Sequence, residues 1–266
     1  TIDTTAAAPL SIANITSSGG AADVTSNADG GDAGTITLNT NAGLITLNTS
    51  TITAAGGLGD GTGSHGAGAI ITFSDAVALS GGAASISTGD TTGDISFSST
   101  INGAQNLTLT AGSGNITLTG DVDVTSVDAS GATININGGS GAVTTTAAQT
   151  YTGAVVLGSN TTLTANNNGT LSSITFDGTL DSSNTSNTSN FRTLEITGNA
   201  VFSGAVGNTF ALGGLTVSGT SALDGASIDT TGAQTYTGAV TLGANTTLTS
   251  GGGDISFGST LNSDGT

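Results

Sequence analysis

The chain has 266 residues, of which 44 are Gly and one is Pro, with no Cys, Met or Trp. So little Glu, Lys, Arg and Gln leaves no vocabulary for a helical repeat, and no run reaches the ~18 apolar residues that a membrane helix needs. One Arg and no Lys stand against 17 Asp and one Glu, for a net charge of −17, which excludes the cationic footprint that nucleic acid or an anionic lipid surface requires.

Read in chain order, the sequence alternates short apolar pairs with turn residues. Thr35-Ile-Thr37 is an early strand-like triplet, followed by Gly56-Gly-Leu-Gly-Asp-Gly61 and Gly61-Thr-Gly-Ser-His-Gly-Ala-Gly68. From there the pairs Ile71/Phe73, Ile95/Phe97, Ile116/Leu118, Ile134/Ile136, Val155/Leu157, Ile174/Phe176, Leu194/Ile196 and Leu215/Val217 follow at roughly 18 to 24 residues. Alternation puts both members of a pair on one face of a strand. Secondary pairs, Leu107/Leu109 and Val122/Val124, lie between them, so each period reads as two or three short strands joined by turns.

Whole phrases also return. Ala148-Gln-Thr-Tyr-Thr-Gly-Ala-Val155 recurs letter for letter at Ala233 to Val240, and Gly93-Asp-Ile-Ser-Phe recurs at Gly253 to Phe257. Self-similarity of this kind marks a solenoid, whose units bury their apolar faces only by stacking on one another. The expected fold is all-β: a right-handed parallel β-helix (β-solenoid) of roughly 20 residues per coil, hence roughly 13 coils. It is expected to form a single segment over residues 1–266, read as a window of a longer repeat array. The Phe residues are expected to stack in the core. The pairs Asn102-Gly103 and the glycine run from Gly138 are expected at turns, where positive φ is needed.

Candidate chemistry is sparse. His65 has no second His and no Cys to join it as a metal site or catalytic group. Asp60, in its glycine-rich setting, invites comparison with a calcium-binding nonapeptide, but it comes one position early and once only. Asp121 and Asp123 lie two apart in Gly-Asp-Val-Asp-Val, so both carboxylates are expected on one strand face. They are candidates for calcium, with Asp60, for an acid/base pair that would hydrolyse a sugar linkage, or for a solvent-facing pair, which is the favoured reading. Arg192 and Glu195 follow the polar run 181–190, expected to bulge as a loop, and are expected to form a surface ion pair. No catalytic or cofactor-binding residue emerges: the scarcity of His, Lys, Arg, Glu and Cys removes most bases, nucleophiles and clamps.

Asn14, Asn106, Asn115, Asn160, Asn168 and Asn245 begin Asn-X-Thr triplets. These match glycosylation acceptors, but also suit turns and coil-to-coil hydrogen bonding, which is the favoured reading. Thr-X-Thr strands raise ice binding by a flat Thr array. Drift in the period is expected to break the register such an array needs.

The phrases Gln105-Asn-Leu-Thr-Leu-Thr110, Gly114-Asn-Ile-Thr-Leu-Thr119, Gln149-Thr-Tyr-Thr-Gly-Ala-Val155 and Asp94-Ile-Ser-Phe97 resemble the repeat region of large bacterial secreted adhesins. The type is that of filamentous haemagglutinin and other two-partner-secretion or autotransporter exoproteins. That resemblance implies a non-enzymatic shaft, secreted or carried on the bacterial cell surface, whose partners are copies of itself and host or neighbouring cells. It implies no nucleic acid and no membrane insertion by this segment. The alternative is a calcium-bridged surface-layer or matrix scaffold, and the third reading a polysaccharide-cleaving β-helix enzyme.

Overall fold

A computed structural model of the chain describes residues 1–4, 7–23, 27–138, 141–183, 191–225, 227–243 and 245–265. Among these there is no helix. Parallel strands stack as a β-solenoid with about 21 residues per turn. The chain divides into two compact units, 1–134 and 135–266.

In the first unit each turn lays strands on three faces. On the first face Ile2–Asp3, Ile36–Asn39, Ile71–Phe73, Ile95–Phe97 and Asn115–Leu118 stack in register, with Ile36, Ile71, Ile95 and Ile116 in one column and Leu38, Phe73, Phe97 and Leu118 in the next. The second face carries the column Leu10, Ile45, Val77, Ile101, Val122 and the third carries Ile15, Ile52, Ile86, Leu109, Ala129. Alternation explains the packing: the inward residues from Ile36 through Leu118 are buried while the Thr and Ser between them stay half-exposed. Each large aliphatic so buried contributes roughly 1.5–3 kcal/mol. Phe73 lies flat on Phe97, centroids 4.4 Å apart and planes within 4°.

Coil length varies, yet the strands of the first face stay in register. Ile36 to Ile71 spans 35 residues, Ile71 to Ile95 spans 24 and Ile95 to Ile116 spans 21. The surplus leaves the prism at its corners. Outward columns such as Thr37, Thr72, Ser96, Thr117 and Thr53, Ser87, Thr110 therefore stay aligned, against the expectation that drift would break them. The long coils also mean fewer levels than the roughly 13 expected from a uniform coil: five in the first unit and six in the second.

The surplus residues of the first two coils build a second kind of structure. Four runs, around 17–22, 28–34, 54–60 and 63–69, lie outside the strands and bond to one another at every third residue. Gly19 and Ala22 donate to Ala55 and Leu58; Gly30 and Ala33 to Ser64 and Ala67; Gly31 and Gly34 to Gly20 and Ser17; Gly57 and Asp60 to Gly31 and Ala28; Gly66 and Ala69 to Gly57 and Ala54. A repeat of three is that of the polyproline II helix. Such runs have no side-chain core, and they close only because the backbones touch. A Cβ on Gly57 would overlap the carbonyl oxygen of Gly20, and one on Gly19 that of Gly31.

The second unit again has three faces, six levels deep on two of them. One face stacks Tyr151, Phe176, Phe202, Leu223 and Leu242, another Val143, Leu163, Ile196, Val217, Tyr236 and Phe257. The third runs through Val155, Leu180, Val206, Ile228 and Leu248. Tyr151, Phe176 and Phe202 form a continuous aromatic stack with 5.4 Å between successive rings. An Asn168-Gly169 turn, with φ of 49° and 95°, closes a small antiparallel hairpin between Thr161–Asn167 and Thr170–Leu171, as two-residue hairpins prefer.

The repeated phrase encodes a buried polar network. Gln149 Nε2 donates to Val143 O (3.1 Å), Thr145 Oγ1 (3.2 Å) and Thr164 O (2.9 Å), while Tyr151 OH donates to Gln149 Oε1 (2.9 Å). In the second copy Gln234 makes the same bonds to Ile228 O, Thr230 Oγ1 and Thr249 O, and Tyr236 OH donates to Gln234 Oε1. The copies sit on different faces: Gln149 stacks on Ile174, Gln234 between Leu215 and Ile255. The network is local to one turn and its neighbour, so any face can host it.

Two expected turns resolve differently. Asn102-Gly103 lies within the strand Ile101–Thr110, with Asn102 paired to Ala78 and Asp123. Gly103 does take positive φ, 139°, where the register of that strand shifts and it bends from one face to the next. After Gly138, residues 139–140 lie outside the described residues; Gly141 has φ of 61° and donates to Gly138 O.

Replacing Gly57 with Ala is expected to part the glycine bundle, at roughly 1–3 kcal/mol, the scale of overpacking. Hydrogen exchange should show protection lost at Ala22, Gly30 and Ala33 but kept at Leu109 and Ile116; unchanged protection in the bundle would refute the packing. A second expectation concerns the chain's two tyrosines. Burial pushes both phenols up from their ordinary value of 10.0. A raised folded value means the stability is whole below about pH 10 and is lost as pH rises above it. The phenolate absorbance should therefore appear together with loss of the β circular-dichroism signal, not before it.

Candidate functional site

Several acids near corners, Asp29, Asp32, Asp75, Asp94 and Asp181, serve the backbone of another coil. Asp75 Oδ2 accepts from Thr40 N (2.6 Å) and Thr40 Oγ1 (3.0 Å), and its Oδ1 from Ala42 N (3.0 Å). It thereby holds a turn in which Asn41 and Ala42, neither of them Gly, have φ of 50° and 72°, a conformation that costs an L-residue about 1–2 kcal/mol. Asp29 accepts from Ser64 N, Asp32 from Ala67 N, Asp94 from Asn115 N, and Asp181 from Thr209 N and Phe210 N. Asn does the same: Asn14 Oδ1 accepts from Thr51 N and Asn160 Oδ1 from Thr193 N.

The calcium candidates are placed separately. Asp60 is half-buried at a turn of the glycine bundle, its carbonyl accepting from Gly63 N. Asp121 is half-exposed just before the strand Val122–Ile136, and Asp123 is exposed on that strand opposite Asn102. Among the described residues no three acidic or imidazole side chains gather into a group that could hold a metal ion. His65 Nδ1 lies 3.0 Å from Asp90 Oδ2, both side chains being well exposed. The expected Arg192–Glu195 pair is not among the ion pairs of the described residues. Glu195 points outward from the strand Thr193–Thr197, whereas the Arg192 backbone is drawn back by Ser182 Oγ and its Nε is buried. All six Asn-X-Thr residues, Asn14, Asn106, Asn115, Asn160, Asn168 and Asn245, are exposed.

One concavity with polar groups in its lining is a groove of about 420 Å³ in the first unit, on a corner beside the first face. One wall is the end of the glycine bundle, Gly68 to Ile70, another the loop Thr92 to Asp94, and the floor runs to Ser113 and Asn115, with Thr35 at the far end. These residues precede the stacked strands at Ile36, Ile71, Ile95 and Ile116, so four successive levels contribute. The walls are pinned. Thr91 Oγ1 donates to Gly66 O and accepts from Gly68 N, both at 2.9 Å, and Thr88 Oγ1 donates to Gly93 O at 2.8 Å. Asp94 Oδ1 accepts from Asn115 N at 2.7 Å, which fixes the carboxylate at the groove. Ile70 is 46% exposed there, an apolar patch among hydroxyls. No sequence signal marked this groove, because its residues come from four separate turns.

In comparisons with known proteins, no family model matched the chain, and neither a curated protein nor a solved structure matched it.

The backbone hydrogen bond from Thr40 is the main reason that the Asp75 carboxyl is held below its ordinary value of 3.8; burial opposes it, and the Thr40 hydroxyl with the Ala42 and Asn41 amides adds to it. A lowered folded value gives stability that is present above the ordinary value and lost as pH falls through the folded one. The stability difference between the native chain and Asp75→Ala should therefore be constant above about pH 5 and shrink below about pH 4. Denaturant midpoints across that range check it, and a constant difference would refute the role given to Asp75.

Proposed function

We propose that this segment is a structural, non-enzymatic shaft of an extracellular bacterial adhesin or surface fibre, acting by assembly and surface contact. The observation that carries the reading is the unbroken parallel ladder within each unit, with Asp and Asn side chains spent on neighbouring coils and not converging on a reaction centre. Such a ladder resists extension along its axis because every coil is held by many backbone bonds at once. The repeat phrases named above support the same reading through their resemblance to filamentous haemagglutinin-type arrays. On this reading the protein is secreted or displayed at the cell surface, and its partners are copies of itself beside the fibre and the surfaces it meets.

A calcium-bridged surface-layer or matrix scaffold is the second reading, favoured by the net charge of −17, which attracts hard cations. Small-angle scattering and sedimentation, with and without calcium, test the two. The shaft reading expects an elongated particle whose melting is unchanged by chelator, and no depolymerisation in a broad polysaccharide screen. Calcium-driven assembly lost in Asp121→Asn or Asp123→Asn would favour the scaffold. Polysaccharide cleavage lost in the same variants, or a compact particle, would overturn the shaft.

A further inference from the structure

We infer that the corner groove of the first unit binds a neutral glycan, engaging a short stretch of pyranose rings. Its size of about 420 Å³ lies at the small end of ligand sites, roughly 300–1,000 Å³. The lining decides the chemistry. Thr35, Thr92 and Ser113 supply hydroxyls, Asn115 a side-chain amide, and Asp94 a carboxylate anchored through one oxygen, which accepts from the backbone N–H of Asn115. Ile70, 46% exposed, supplies an apolar surface beside them.

A ligand that uses all of these must donate and accept at several points and must also offer a hydrocarbon face. A sugar ring does both: its hydroxyls reach the carboxylate and the amide, while its axial C–H groups rest on Ile70. Charge excludes the neighbouring classes. A net charge of −17 with a single Arg in the chain repels uronates and sulfated glycans. A cation would find one carboxylate in the groove and no use for the hydroxyls and amide; calcium prefers about six to eight oxygens, several of them charged. A Cβ on Gly114 would overlap the Gly93 carbonyl oxygen and one on Gly68 that of Thr92, so these glycines let the coils that line the groove close on one another. The hydrogen bonds of Thr88 and Thr91 keep those walls in place, so binding costs little ordering of the protein. With no aromatic platform in the groove, a single site is expected to bind weakly, in the millimolar range of about −4 kcal/mol.

The inference does not rest on the shaft reading, since a shaft or a scaffold can carry such a groove. Amide chemical-shift titrations of the whole 266-residue chain with maltotriose, cellotriose and diacetylchitobiose test it, alongside trigalacturonate, spermidine and calcium chloride. At least one neutral probe should shift Gly68, Gly93 and Asn115 in a saturable way. Ile70→Ser, at an exposed position, should weaken that binding about tenfold, a factor worth 1.4 kcal/mol. Asp94→Asn keeps an acceptor for the Asn115 amide and should weaken it comparably. No saturable shift with any neutral probe, shifts only with the charged probes, or binding indifferent to both substitutions would each overturn the assignment.

Discussion

Everything in these units depends on the parallel backbone ladder that holds one coil on the next. It sets neighbouring strands about 4.8 Å apart, so each side chain stands over its counterpart. Residues that gain from lying on their own kind collect in columns: Ile36, Ile71, Ile95 and Ile116, or the flat rings of Phe73 and Phe97. Like charges lose by the same geometry. With 18 acids in the chain, the ladder positions described still set no acid on an acid: Asp3 faces Asn39, Asp123 faces Asn102, Asp128 faces Thr108, Glu195 lies between Thr162 and Thr216, and Asp229 faces Thr249. The chain carries its negative charge by interleaving Thr and Asn between the carboxylates. Acids near corners turn toward the N–H groups of an adjoining coil.

Two ways of satisfying a buried backbone coexist in the first unit. In the prism, strands bond laterally and columns of side chains fill the interior. In the bundle formed by the runs around 17–22, 28–34, 54–60 and 63–69, the runs bond at every third residue and the interior is backbone. The two modes tolerate different errors. A column of Ile or Leu accommodates a related aliphatic, because neighbouring side chains can shift; the bundle has no side chains to shift, so one methyl group at Gly57 meets a carbonyl. Composition follows: Gly and Ala dominate between Ser17 and Gly34 and between Ala54 and Ala69, and aliphatics return where the ladder does.

The fold class was legible because alternation and stacking leave a plain mark on sequence. The buried pairs at Ile71/Phe73, Ile95/Phe97 and Ile116/Leu118 are those that the pattern named, and they do form one stack. Further along, the same count crossed faces without showing it. Val155 and Ile174 are 19 residues apart but occupy different faces, and the true partner of Val155 is Leu180, 25 residues on. Much of the apparent drift in period was this exchange of faces. The verbatim repeat misled in a related way, since its copies do not stack on each other. Its Gln and Tyr are buried with no local signal for it, because the partners of Gln149 lie at Val143, Thr145 and Thr164 and only the coil brings them together. The bundle and the groove were illegible for the same reason: their contacts join separate runs, many of them far apart in the chain, such as Gly19 with Ala55 and Gly66 with Thr91.

This division suggests where function resides in such a chain. Within a face, the ladder fixes the outward residues into columns, and a change of one hydroxyl for another alters little else. Concavity requires a break in the column, and breaks arise where coil length changes. In the first unit that step is sharp: the coil leading to Ile71 has 35 residues, and the next two have 24 and 21. The bundle therefore ends beside coils that have no counterpart to it, leaving a recess lined by Gly68 to Ile70 together with Asp94 and Asn115. A solenoid that varies only its corner lengths can thus create a recess without disturbing its core. The same ladder that makes the prism uniform holds the recess rigid, because its walls are tied to strands on four levels.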